Sequence, residues 1–143
     1  MDHSLQVISS PLPGIAVLVE YQQQILLGRR SKPPMSDSWQ LPGGWLRLAE
    51  SPEQVVDRLL AEFPGLEYDT PEFAGYSNNI FDTDTHTVSL YFRVRCSACG
   101  EDSLRPNTRG KDWCWADWNE LPQPLFLPLH LFIQAGFKPF IPD

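Results

Sequence analysis

Runs of alternating apolar and polar positions divide most of the chain into extended segments. "GIAVLVEY" (14–21) and "QILLGRR" (24–30) are apolar, β-rich runs on either side of "QQ", the pattern of a hairpin. "EFAGYSNNIF" (72–81) and "HTVSLYFRVRC" (86–96) alternate well enough to form two antiparallel strands around "DTDT". "WQLP" (39–42) and "WCWADW" (113–118) read as shorter extended pieces. "SKPPMSDS" (31–38) and "EDSLRPNTRGK" (101–111) have the composition of loops, and Gly43–Gly44 reads as a third.

Between these runs the period changes. Val55, Val56, Leu59, Leu60 and Phe63 recur at helical spacing. Ser51 is a capping residue, Pro52 suits the first helical position, Glu53 complements the positive first turn, and Pro64–Gly65 is a stop. The pattern predicts a helix over 52–63, packed by Val56 and Leu60 against a sheet. "LPLHLFIQAGF" (127–137) predicts a second helix ending at Gly136. Strands around one central and one terminal helix indicate an α+β domain with a mixed sheet.

Composition narrows the partners. A chain of 143 residues, 42% hydrophobic and 20% charged, is ordinary for one folded domain, read here as spanning 1–143. The net charge of −7 argues against a nucleic-acid polymer, since the basic residues form one small cluster at Arg29, Arg30 and Lys32. No apolar run approaches the ~20 residues needed to span a bilayer, and the start lacks a basic-then-apolar leader. The expectation is a cytoplasmic protein with no membrane partner. Cys96, Cys99 and Cys114 cannot all pair; "CSAC" has the spacing of half a zinc site, but without a second such pair the three read as free thiols.

The segment "LPGGWLRLAESPEQVVDRLLAEFPGL" (41–66) carries the chemistry. It resembles the Nudix box: glycine, five residues, Glu, seven residues, Arg-Glu, an aliphatic, any residue, Glu-Glu, any residue, Gly, an aliphatic. Gly44, Glu50, Arg58, Leu60, Glu62, Gly65 and Leu66 fall in that register without gaps, after "WQLPGG" and with "WADWNELP" following later. "SPEQVVDR" and "QAGFKPF" resemble the MutT-like, nucleoside-triphosphate branch. The resemblance, over roughly residues 14 to 137, implies a mixed sheet sandwiched between helices (α/β/α).

The box departs from its pattern twice: the glutamate expected after Arg58 is Leu59, and the second of the paired glutamates is Phe63. In the family these positions supply metal-binding or general-base carboxylates. Hydrolysis of a diphosphate needs Mg²⁺ or Mn²⁺ with several oxygen ligands, and a base to activate water. Leu59 and Phe63 stand four apart and share a helical face; with Trp45 they are expected to line a water-expelling cleft. The resemblance leaves Glu62 and Glu50 as metal and catalytic candidates with Arg58, and Asp57 or Glu53 behind them. Glu50 also fits the structural task of orienting Arg58, and Arg58 with Glu62 also fits an ordinary surface pair. Asp112 is the nearest acid in a loop where Arg109 and Lys111 stand instead.

On the substrate side, Arg30 matches a nucleotide-contacting position of MutT-type members, with Arg29 beside it and Gly43 and Gly44 in the approach loop. Arginine suits phosphate through its bidentate fork. Trp39, Trp45, Tyr76 and Phe92 are candidates for base stacking, although core packing explains most of them. His86 and His130 read as packing or surface histidines rather than as a base. Two functions follow. One is a divergent hydrolase of a nucleoside diphosphate-linked compound, a nucleotide or nucleotide sugar, with weak activity. The other is a catalytically silent domain that binds a nucleotide or a protein. A homodimer stays open.

Overall fold

In the computed structural model the described residues are 10–99 and 113–140. Strand β1 (Leu12–Tyr21) is the organising element because side chains on both of its faces are apolar. It turns into β2 (Gln24–Arg29) through Gln22 and Gln23, both with positive φ (51° and 67°), the two-residue hairpin turn that matches strand twist. Its other neighbour is parallel: β7 (Thr85–Ala98) runs beside it from Leu12↔Thr87 to Glu20↔Arg95. Strand β6 (Glu72–Asp82) folds back on β7, and β8 (Trp113–Asp117) pairs with β2. β3 (Trp39–Gln40) and β5 (Glu67–Tyr68) lie at the ends of the path β3-β2-β1-β7-β5. The short β5 had no signal in the alternation.

Gly43–Gly44 is not a loop. With Trp45 it forms β4 (Gly43–Trp45), which pairs antiparallel with β1 through Ala16↔Gly43, Ile15↔Gly44 and Gly14↔Trp45. The backbone of β1 continues its ladder there, and glycine fits because a side chain on Gly43 would meet the Ile15 carbonyl at 3.1 Å.

Helix α1 (Pro52–Leu60) starts with a full capping box: Ser51 accepts from the Gln54 backbone and Gln54 returns a bond to the Ser51 backbone. The helix ends three residues earlier than the spacing predicts. Glu62 and Phe63 bond back to the Leu59 and Leu60 carbonyls in tightened turns, Pro64 cannot continue, and Gly65 takes φ 94°. Helix α2 (Leu127–Gln134) ends before Gly136, at φ 101°.

The two helices cover opposite faces. Against α1 lie Val17, Val19, Leu26, Val94 and Trp113, meeting Val55, Val56, Leu59, Leu60 and Phe63. Against α2 lie Leu18, Leu27 and Tyr91, meeting Leu129 and Phe132; Tyr91 stacks on Phe132 with ring centroids 3.8 Å apart. The domain is a mixed sheet between two helices. Among the described residues no helix is long and apolar enough to cross a membrane.

Candidate functional site

The loop between β4 and α1 is held by one ion pair. Arg58 donates from Nε to Glu50 Oε2 and from Nη2 to Glu50 Oε1, both at 3.0 Å, and Nη2 also reaches the Trp45 carbonyl at 3.1 Å. The Arg47 backbone N–H adds a bond to the same carboxylate. The hydrogen bonds from Arg58 hold the Glu50 carboxyl below its ordinary range, and Glu50 raises the Arg58 guanidinium in return. Both carboxylate oxygens of Glu50 are engaged by Arg58, so its geometry is that of a clamp.

Leu59 and Phe63 do not line a cleft with Trp45. Each is only 3% exposed, and both belong to the core between α1 and the sheet. Phe63 sits edge-on to Trp113, centroids 5.0 Å apart at 80°. Leu59 closes on the other side, where a side chain on Gly44 would meet its Cδ2 at 3.1 Å. Trp45, in contrast, is 53% exposed on the opposite face of the sheet, above Gly14. Leu59, on the last turn of α1, and Phe63, in the turn beyond it, do fall on one side, and that side points inward because Trp113 of β8 lies there.

Glu62 is half-buried, just past the end of α1, bordering a crevice of about 10 Å³ with Pro42, Gly43, Leu59, Phe63 and Trp113. That is room for about one water molecule. Glu53 is exposed. Asp57 accepts a hydrogen bond from Tyr68 Oη at 2.8 Å. Arg58 bonds Glu50 and the Trp45 carbonyl, and the Glu62 charge adds to raising its guanidinium. Arg109, Lys111 and Asp112 lie outside the described residues. Among the described residues no three His, Cys, Asp or Glu side chains gather to hold a metal ion. Mg²⁺ and Mn²⁺ take six oxygen ligands, commonly one or two carboxylates completed by waters and substrate phosphates. Among the described residues the box offers Glu50, already clamped by Arg58, and Glu62.

On the α2 face of the sheet lies an open cleft of about 960 Å³. β1 gives Leu12, Gly14 and Ala16; β4 gives Gly43, Gly44 and Trp45; β7 gives Thr87, Ser89 and Tyr91; Phe81 and Phe126 add aromatic surface. Arg30 and Lys32 also line it. Arg30 is already engaged, donating to the Pro33 and Pro34 carbonyls (3.0 and 2.9 Å) and to Gln40 Oε1 (2.9 Å) while lying 4.1 Å over the Phe126 ring. Burial lowers its pKa. Arg29 stands 5.6 Å from the Trp39 ring and does not line the cleft.

Of the aromatic candidates only Trp45 combines exposure with a place in the cleft. Phe92 is core, and Tyr76 is exposed on the outer strand β6. His86 lines the cleft and pairs with Asn78 Oδ1 at 2.6 Å, while His130 is exposed on α2. Cys96, Cys99 and Cys114 are free thiols. Thr87 and Ser89 escaped the sequence reading, although their alternation along "HTVSLYF" places them on one face with Tyr91.

Known proteins share this architecture. The NUDIX domain family profile matches residues 11–135. An ADP-ribose pyrophosphatase of Methanocaldococcus jannaschii is 31% identical over 117 residues, covering 80% of this chain and 68% of that protein. The MutT NUDIX hydrolase from Burkholderia pseudomallei superposes with a TM-score of 0.68 at 22% identity, over 89% of this chain and 99% of the other. The NUDIX domain of Shewanella oneidensis NrtR, solved in complex with ADP ribose, gives 0.62 at 25% identity, over 91% and 89%. With the box register of Gly44, Glu50, Arg58 and Gly65 seated on this sheet and helix, the chain belongs to the NUDIX domain family.

Proposed function

We propose that this domain binds a nucleoside diphosphate-linked compound in the cleft beside Trp45 and hydrolyses it only weakly. The observation that carries the reading is the burial of Leu59 and Phe63: where the family pattern has two carboxylates, this chain has core side chains packed on Trp113. A hard cation finds few oxygen ligands there, and a poorly held cation gives poor neutralisation of transition-state charge. The cleft, by contrast, is spacious and bounded by an exposed tryptophan, phenylalanines and basic residues. The relative acting on ADP-ribose and the NrtR domain complexed with ADP ribose support that ligand class.

The test is a hydrolysis screen over ADP-ribose, nucleotide sugars, dinucleotides and nucleoside triphosphates with Mg²⁺ or Mn²⁺, run beside calorimetric binding of the same compounds. The expected result is measurable binding of ADP-ribose or a nucleotide sugar with turnover far below the ~10 s⁻¹ of ordinary enzymes. Turnover near that value would overturn the weak-hydrolysis reading. Absence of any binding would overturn the ligand class.

A further inference from the structure

The polar residues at the floor of the cleft form a network that the box does not use. Asn79 of β6 is fully buried. Its Nδ2 donates to Thr87 Oγ1 at 2.9 Å and to Ser89 Oγ at 3.0 Å, spending both N–H groups on β7 hydroxyls. Its Oδ1 is buried without a hydrogen-bond partner. A bare buried carbonyl costs stability, so this side chain is not placed for stability alone. Behind it, Ser77 and Tyr91 share a buried bond of 2.8 Å.

A hydroxyl that accepts from an amide keeps its own proton to give. Ser89 accepts likewise, one pleat nearer the buried Tyr91. Thr87 is the outer of the two hydroxyls and the one that directs its proton into the cleft that both residues line. The strand register sets what would meet it. Ser89 pairs with Gly14, and Gly14 with Trp45, so the floor runs Trp45–Gly14–Ser89 with Thr87 one pleat along. Gly14 has no side chain to interrupt that row, and the Trp45 ring lies 3.6 Å from where a Cβ would stand. A flat ring resting on Trp45 therefore has an edge toward Thr87.

We propose that Asn79 is a positioning residue that aims the Thr87 proton into the cleft. The cleft would then prefer a planar ring, stacked on Trp45, whose edge offers a hydrogen-bond acceptor rather than a donor. The proposal rests on the nucleotide-binding function above and names a selectivity within it.

The experiment is calorimetric binding of two matched pairs without metal: UDP against CDP, and IDP against ADP. In each an exocyclic carbonyl replaces an exocyclic amino group and the adjacent ring nitrogen gains a proton, so that the exocyclic atom is the one Thr87 reads. The carbonyl partner of each pair should bind the wild type about tenfold more tightly, the effect of one hydrogen bond. Thr87→Val keeps the side-chain shape, and should bring both ratios to about one without abolishing binding. Asn79→Asp turns the donor into an acceptor for the Thr87 proton, and should reverse the preference. Thr87→Val decides the matter if the buried aspartate fails to fold. A wild-type ratio of about one, a preference for CDP and ADP, or a ratio unmoved in folded Thr87→Val would overturn this proposal while leaving nucleotide binding intact. Failure of all four nucleotides to bind while ADP-ribose binds would overturn this proposal alone, and failure of ADP-ribose as well would overturn both.

Discussion

Phe63 and Trp113, fifty residues apart in sequence, meet edge to face at 5.0 Å where the family pattern would seat a carboxylate. The contact makes Phe63 part of the fold. Truncating a buried aromatic costs about 3–5 kcal/mol, and an acid in its place adds the cost of a desolvated charge. Phe63→Glu should therefore lose most of the stability of a small domain, and Leu59→Glu should behave alike. Urea unfolding followed by tryptophan fluorescence measures it. Restoration of either mutant by Mg²⁺ would show that the site is still built for a cation.

The Glu50–Arg58 clamp predicts a dependence on pH. Arg58 holds the Glu50 carboxyl below its ordinary value of 4.5 in the folded state. A depressed folded-state pKa gives an increment of stability that is whole above 4.5 and disappears as pH falls through the folded value. In Glu50→Gln the acid limb should flatten below pH 4.5, while the two stability curves run parallel above it. A difference that instead grows above pH 6 would assign the effect to another group.

Cys96 tests the burial of the β7 end. Desolvation, with Asp69 nearby, pushes its thiol up to about 12. At pH 8 the thiolate fraction is then about one in ten thousand, and the thiolate is the nucleophile. Iodoacetamide should leave Cys96 unmodified in the folded protein and label it once urea opens the sheet. Mass spectrometry of the labelled peptide reads the difference. Rapid labelling at pH 8 without denaturant would contradict the packing of β7 against Tyr68.

These tests fall where local pattern stops being informative. The capping box, the helix and the strand alternation are legible because each is written within a few residues, and the box register fixed Gly44, Glu50 and Arg58 relative to one another. Helical spacing puts Leu59 and Phe63 on one face but does not say what that face meets; the answer is Trp113, on a strand reached through the sheet. Arg30 reads as a phosphate contact because its place at the end of the second strand matches a nucleotide-contacting position of MutT-type members. Its engagement depends on how the Pro33–Pro34 loop turns its carbonyls back, which no periodicity records. Asn79 was silent for a similar reason. Its pairing with Thr87 depends on the hairpin register, and that register shifts between Ile80 and Asp82.

Trp45 separates ligand binding from folding. Its side chain is largely exposed, while its carbonyl receives Arg58 and its backbone pairs with Gly14. Trp45→Ala removes the ring and keeps both backbone contacts, so stability should change by no more than about 0.5 kcal/mol, as at other surface positions. Stacking of a base on an aromatic ring contributes about 1–3 kcal/mol. Affinity for ADP-ribose should accordingly fall by about 5- to 140-fold, since each 1.4 kcal/mol is about a factor of ten. Arg58→Ala provides the contrast. It releases the Trp45 carbonyl and the Glu50 clamp together, so it should weaken binding and also lower the melting temperature. Calorimetry and thermal unfolding on the same preparations give both readings. Unchanged affinity in a folded Trp45→Ala protein would mean that the ligand does not lie on this ring, and that the basic residues of the cleft must hold it elsewhere.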